Sequence, residues 1–337
     1  MYKIHKIQNR RYIGSKIKLL PFIDKVLNSE KINFNTCADL FAGTGVVSEH
    51  FLSQNKKVYI NDNLFSNYIF YNAWLSNKKY SSEKISKWLD YYNQSTDYIK
   101  DNYFSDTFSG TYFSYNNAKF IGSVREHLEN IKKDLTEREF CILLSSLLYS
   151  ADKIANTVGH YEAFLSSEPI EIKIKLLPLE IKRYKYQPII TCQNANVIAK
   201  DINVDLTYID PPYNARQYVN FYHILENIAE WKKLSVSGKT LKFPRNEKKS
   251  DYSKSKALHF LMDLVAELKT KYIMLSYNNT YQANSEASNN KIKFNEIVNL
   301  LSGFGKLKIY DSDYKFFNSG KTFFDGHKEF LFVCKIK

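Results

Sequence analysis

The chain has 337 residues, 44% hydrophobic and 25% charged, which allows a sizeable core and excludes a disordered polyampholyte. A formal charge of +13 with a pI near 9.2 favours a polyanionic partner, nucleic acid before an anionic membrane surface; a solvated lysine-rich surface is the bland alternative. No apolar run reaches the roughly 18 residues of a membrane span, and Met1-Tyr2-Lys3-Ile4-His5 does not open a signal peptide. Cys37, Cys141, Cys192 and Cys334 are isolated, as are the histidines, so reduced thiols, no metal site and a cytoplasmic setting are expected.

The first signal is Arg10-Arg11-Tyr12-Ile13-Gly14-Ser15-Lys16, followed by Ile17, Leu19, Leu20 and Ile23 at helical spacing. A glycine turn feeding a helix start exposes backbone N–H groups, and Lys16 adds charge, so the corner suits a carboxylate or phosphate; a simple helix cap reads equally well. Thr36-Cys37-Ala38-Asp39-Leu40-Phe41-Ala42-Gly43-Thr44-Gly45 and the apolar run after it read as strand, tight glycine turn, helix, as in a nucleotide-binding fold. The next strand, 57–60, ends in Asn61-Asp62-Asn63. An acid about 20 residues past such a turn is placed to take the two hydroxyls of a ribose.

Between residues 66 and 185 the strand alternation fades, and 83–98, 121–133 and 137–154 carry helical periodicity. Tyr103, Phe104, Phe108, Tyr112, Phe113 and Tyr115 interleave with amides and lysines, a mixture that stacks on bases or packs between helices. This segment reads as an insertion with target-recognition elements in an α/β domain made of 1–65 and 186–337. The strand pattern returns at Ile189-Ile190-Thr191-Cys192 and ends in Gln193-Asn194-Ala195-Asn196, a polar loop suited to an adenine ring.

A buried strand, Val204-Asp205-Leu206-Thr207, then delivers Tyr208-Ile209-Asp210-Pro211-Pro212-Tyr213 to the carboxyl edge of the sheet. A nucleobase amine is a poor nucleophile because its lone pair is delocalised into the ring. Two acceptors on its hydrogens would draw the nitrogen towards a tetrahedral shape. Asp210 and the Pro211 carbonyl can be those acceptors, and Tyr213 can stack on a base rotated out of the helix. Taken alone, the same residues make an ordinary strand–turn with a buried tyrosine. Arg216, Tyr218, Tyr222 and His223 flank the expected base pocket, with a helix over 221–229. His223 is read as structural or substrate-contacting, because the displaced proton is lost easily after methylation. Residues 232–256 are the most basic run; Lys242, Arg245, Lys248 and Lys249 would make a phosphate-binding arm, or else a solvated linker. Helices at 258–268 and 294–301 and strands at 272–277, 306–310 and 330–335 follow, with a polar loop up to Asn290.

With glycine turn, acidic ribose ligand and Asp-Pro-Pro-Tyr in this order, the sequence resembles the adenine-specific N6 DNA methyltransferases of the Dam-like (D12) group. The resemblance runs over residues 9–63 and 186–337 and is weak in the insertion. Asn214-Ala215-Arg216-Gln217-Tyr218, Tyr222-His223 and Leu275-Ser276-Tyr277-Asn278-Asn279 look like the modification enzymes of restriction systems. The resemblance implies a Rossmann-like S-adenosylmethionine-dependent methyltransferase sheet with a mostly helical inserted target-recognition domain. It implies S-adenosylmethionine as donor, double-stranded DNA as partner, a cognate restriction endonuclease, and a monomer or weak dimer.

By the same resemblance Lys16 serves the donor's methionine end, and Tyr12, Asp39, Phe41, Ala42, Gly43, Thr44, Gly45, Asp62, Asn63, Asn194 and Ala195 belong to the donor site. Asp210, Pro211, Pro212 and Tyr213 match the catalytic motif. Asn194 stands where relatives usually carry an aspartate facing the donor's adenine; its amide oxygen still accepts a hydrogen bond, without charge. The donor loop precedes the catalytic turn, which is the group's alpha arrangement. Three alternatives stay open: an RNA adenine methyltransferase, where asparagine is commoner at the position of Asp210; an N4-cytosine enzyme, where serine is; and a nucleic-acid-binding relative without turnover.

Overall fold

The computed structural model describes residues 4–280, 289–313 and 328–337 and divides into two compact units. Most of the polar loop expected before Asn290 lies outside the described residues. One unit is built from Ile13–Asn63, Tyr184–Tyr218 and Glu247–Lys337; the other from Met1–Tyr12, Leu64–Arg183 and Val219–Asn246.

The first unit carries a seven-stranded sheet of β1 (Thr36–Asp39), β2 (Lys57–Asp62), β3 (Ile189–Cys192), β4 (Asn203–Ile209), β5 (Lys269–Asn278), β6 (Gly305–Asp313) and β7 (Lys328–Ile336). The order is β3-β2-β1-β4-β5-β7-β6, parallel from β3 to β5, with β7 antiparallel to both its neighbours. This is the Rossmann-like α/β sheet expected. The central strands read as continuous apolar runs because both faces are covered: Cys37, Ala38, Leu206, Ile209, Ile273, Met274 and Leu275 are 0% exposed. Leu261 and Leu264 of the helix Ala257–Glu267, and Ile297 and Leu301 of the helix Phe294–Phe304, join Phe332 of β7 in one core cluster. The expected helix near Ile17 begins as a 3-10 turn, Ile17–Leu19, and becomes α-helical over Leu20–Ser29, where Pro21 occupies the first turn and needs no N–H partner.

From β1 the chain steps outward to β2 and β3, then returns to the opposite side of β1 as β4. The crevice at the carboxyl ends of β1 and β4 is therefore the place where strand order reverses, which is where open α/β sheets bind ligands. The amino ends of the same two strands are clamped by Asp205, whose Oδ2 accepts from Asn35 N (2.9 Å), Thr36 N (3.1 Å) and the Thr36 hydroxyl (3.1 Å). Lys271 lies 2.8 Å from the other oxygen.

The second unit holds the helices Phe65–Trp74, Ser82–Gln94, Tyr103–Phe108, Tyr115–Asn130, Glu137–Ile154 and His223–Glu230. Asn102 with Ser105 and Thr136 with Glu139 form reciprocal capping boxes that start two of them. Phe104, Phe108, Tyr112 and Phe113 are core residues at 0–1% exposure, and of the aromatic run only Tyr115, at 49%, faces solvent. The aromatic spacing that suited base stacking is mostly helix packing.

Val219–Asn246 groups with this unit instead of with the sheet, and polar contacts explain it. The buried Arg125 guanidinium donates to the Ile228 and Ala229 carbonyls (2.7 and 3.3 Å) at the end of the helix His223–Glu230. Glu226 from that helix accepts from Phe65 N (3.1 Å) and Ser66 N (2.6 Å), supplying the anion that the uncapped start of Phe65–Trp74 needs. No helix among the described residues is long and apolar enough to cross a membrane.

The Lys271 ammonium and the Asn35 and Thr36 amides hold the Asp205 carboxyl far below its usual range. Its contribution to stability is thus present above the unfolded-state pKa near 3.9 and is lost as pH falls through the lower folded value. Asp205→Asn should lower unfolding free energy by roughly 1–3 kcal/mol at pH 7, with the gap to wild type closing in strong acid. Urea titrations across pH would show this; a pH-independent gap would refute the charge-based account.

Candidate active site

The glycine turn hangs from the ends of β1 and β2. Gly43 and Gly45 take positive φ (53° and 81°), which glycine enters at no steric cost, and Gly45 N closes the turn on the Ala42 carbonyl at 2.7 Å. Asp62 Oδ2 accepts from Gly43 N at 2.8 Å, so the expected ribose acid also fixes the turn. Asn61, which the sequence did not single out, ties three strand ends. Its amide donates to the Leu40 carbonyl (3.1 Å) and the Gln193 carbonyl (3.0 Å), and its oxygen accepts from the Thr191 hydroxyl (2.8 Å) and Gln193 N (3.1 Å).

Asp39, at the end of β1, accepts from the Ser48 hydroxyl through Oδ2 at 2.7 Å, while Oδ1 is buried with no hydrogen-bond partner among the described residues. Burial, with Asp210 and Asp62 nearby, pushes its carboxyl up to about 7 against the Ser48 hydrogen bond. Phe41 packs edge-on against Tyr252 (centroids 5.0 Å apart), and the Tyr252 hydroxyl donates to Asn196 Oδ1 at 2.8 Å. Thr44 and Ala42 are buried beneath the turn. Asn194 is exposed and caps the short helix Ala195–Ile198, its oxygen accepting from Asn196 N at 2.9 Å; Ala195 is buried. Asn63 donates to the Lys248 carbonyl at 3.0 Å.

Asp39 and Tyr208 face each other across the β1–β4 ladder, and Leu40 N reaches the Tyr208 carbonyl at 3.3 Å. The glycine turn and Asp210-Pro211-Pro212-Tyr213 therefore leave the sheet side by side. Lys16 Nζ lies 2.9 Å from Asp210 Oδ2 and 3.5 Å from Glu329 Oε1, and 5.0 Å from the centre of the Tyr213 ring. The Tyr213 hydroxyl is 2.5 Å from Asp210 Oδ1 and 2.6 Å from Glu329 Oε1. Burial pushes the Asp210 carboxyl up and Lys16 only partly offsets it; burial disfavours the Lys16 cation, but Asp210 and Glu329 outweigh this and raise its pKa well above the usual value. Lys16, assigned by resemblance to the donor, is thus paired with the carboxylate of Asp210. Pro211 is buried and Pro212 half-buried. Glu329 at the head of β7, Ser276 inside the apolar run of β5 and Tyr252 within the basic run had no role assigned from the sequence.

The proposed substrate residues are divided between the units. In the sheet unit the Tyr218 hydroxyl donates to the Ile13 carbonyl (3.2 Å), and Arg216, Lys248 and Lys249 are half-buried. In the helical unit Tyr12 and Tyr222 stack face to face, 4.6 Å apart and 3° from parallel. Lys242 pairs with Glu162 (3.0 Å), and Arg245 donates to Asn220 (2.6 Å). His223 is fully buried, with the Asn220 and Thr240 carbonyls 2.8 and 2.7 Å from its two ring nitrogens. Burial lowers its pKa to about 4, so the neutral ring donates to one of these carbonyls while the second closes off its other nitrogen.

A family model for the D12 class N6 adenine-specific DNA methyltransferases matches residues 12–311. Modification methylase StsI of Streptococcus sanguinis is 37% identical over 84% of this chain and 46% of its own length. Modification methylase LlaI of Lactococcus lactis subsp. lactis is 30% identical over 94% of the chain and 53% of its own. The type II methyltransferase M.NlaIII of Neisseria lactamica is 30% identical over 94% of the chain and 95% of its own. The chain thus spans about half the length of the first two relatives and nearly all of the third.

Gly14 supports Lys16 through a tight fit: φ is +80°, and a Cβ there would meet the Tyr218 hydroxyl oxygen at 2.9 Å. Gly14→Ala should destabilise the fold by roughly 1–3 kcal/mol. Tyr218→Phe in that background should return part of the loss by relieving the contact, leaving the backbone strain. Chemical denaturation of the two variants separates these parts; no relief from Tyr218→Phe would mean that the clash is absent.

Proposed function

The chain belongs to the D12 class of N6 adenine-specific DNA methyltransferases, and on that premise we propose that it methylates the amino group of adenine at a specific site in double-stranded DNA. S-adenosylmethionine is the proposed donor and protection from a cognate restriction endonuclease the proposed setting. The observation that carries the reading is the convergence of the glycine turn, Asp39 and Asp210 at one crevice of the sheet.

The residues present fit the donor. The unpartnered Asp39 Oδ1 suits its ammonium group, Asp62 its ribose hydroxyls, and the Gly43–Gly45 backbone allows close approach. When bound, the donor supplies an electrophilic methyl on a cationic sulfur, so that an N–C bond forms as the C–S pair returns to sulfur. Asp210 holds one amino hydrogen of the extruded adenine and, with the Pro211 carbonyl on the other, makes the nitrogen lone pair available. Asp210 or solvent takes the surplus proton afterwards. Lys248 and Lys249 serve the phosphates, giving salt-dependent affinity, and the helical unit carries sequence choice.

Incubating the purified chain with methyl-labelled donor and adenine-unmethylated genomic DNA tests this directly. Label should appear in N6-methyladenine at one sequence; label in cytosine or in RNA alone would overturn the reading. Asp210→Ala should retain donor binding and lose transfer by roughly 100-fold or more. A second expectation concerns pH. Asp39, lifted to about 7, is about half protonated at pH 7 before the donor arrives, and an ammonium beside Oδ1 ionises it. Donor binding should therefore release about half a proton at pH 7 and tighten as pH rises from about 6 to about 8. Calorimetry in buffers of different ionisation enthalpy reads both, and proton-neutral binding would remove Asp39 from the donor site.

A further inference from the structure

Glu329 enters the site from the far side of the sheet. Because β7 runs antiparallel to β5, its second residue lies opposite Asn278, at the edge where β4 releases Asp210. The side chain is buried, and Oε1 gathers three groups: the Tyr213 hydroxyl (2.6 Å), the Ser276 hydroxyl (2.6 Å) and the Lys16 ammonium (3.5 Å). An apolar residue of similar size would cost less to bury than a carboxylate. Neutralising Lys16 does not require Glu329, since Asp210 already lies closer, at 2.9 Å. A second carboxylate here makes the charge balance of the cluster worse, so it calls for a use.

The use follows from what occupies Asp210. Oδ1 accepts from Tyr213 and Oδ2 from Lys16, so each oxygen already holds a partner with which an arriving amine must compete. The phenol has one proton and sits between two carboxylate oxygens at nearly equal distance, 2.5 and 2.6 Å. Lys16 also lies between the same two carboxylates. We infer that Glu329 is a positioning residue that takes over the Tyr213 hydroxyl and the Lys16 ammonium when Asp210 turns to the adenine amino group. This rests on the proposed methyl transfer and adds to it the step that frees the acceptor. Small rotations suffice, because each partner already touches both carboxylates. Without Glu329, the same turn would leave the buried hydroxyl to a long contact with Ser276 (3.4 Å) and the buried ammonium to a long one with the Gly14 carbonyl (3.4 Å).

The test uses the full chain, S-adenosylmethionine and adenine-unmethylated genomic DNA in single-turnover experiments at saturating donor and DNA. Glu329→Ala should slow transfer roughly 10- to 100-fold while donor affinity by calorimetry stays within about threefold. Glu329→Gln, close in shape, keeps an acceptor for the phenol but not the charge for Lys16, and should fall between. It also carries the test if the alanine variant does not fold. In a Tyr213→Phe background no hydroxyl needs a new partner, so Glu329→Ala should cost distinctly less than it does with Tyr213 present. Wild-type rates in both Glu329 variants, or equal costs with and without the phenol, would overturn the inference alone. A wild-type chain that labels no DNA adenine would overturn the functional reading, and this inference with it.

Discussion

The parallel pairing of β1 with β4 is the constraint on which the rest of the site depends. Cys37, Ala38 and Asp39 lie against Leu206, Thr207 and Tyr208, clamped below by Asp205 and buried on both faces. A slip of one residue would exchange the two faces of β4, and the core will not tolerate that. The register sets Asp39 opposite Tyr208, so Asp210 emerges two residues further along the neighbouring strand, about 5 Å away across the ladder. Two segments separated by more than half the chain become one crevice because their strands are neighbours and their order reverses there.

That crevice concentrates negative charge. Burial raises the cost of ionising Asp39, and Asp210 and Asp62 add to it; Glu329 adds likewise to that of Asp210, opposite a single lysine. Such an arrangement is poorly satisfied alone and well matched to a ligand carrying positive charge. The same imbalance explains why Lys16 stays charged despite burial, and why the Tyr213 hydroxyl is drawn between two acceptors. Stability and function pull in opposite directions here, which is common where groups are held ready for chemistry.

Features that depend on a few adjacent residues were legible in the sequence: the glycine turn after β1, the acid at the end of β2, the two prolines after β4, and most of the strands and helices. Features that depend on partners distant in the chain were not. Asn61 looked like a loop amide, yet it is buried and joins the ends of three strands. Glu329 looked like a charge at the head of an apolar strand, and only the antiparallel course of β7 brings it to Asp210. The aromatics at 104–113 carried a composition that fits stacking on bases as well as packing on helices, and burial decided for packing. The basic run at 232–256 read as one loop, but its two halves fold with different units, Tyr252 being buried with the sheet and Lys242 paired beside the helices.

Each unit is assembled from three separate stretches, so the chain passes from one to the other five times between its first and last residue. Neither unit can then be excised, exchanged or inherited as a continuous cassette. Replacing the helical unit by recombination would demand three coordinated grafts, whereas point changes on its exposed positions leave the interleaving intact. The same weave makes many native contacts distant along the chain, a topology that slows folding.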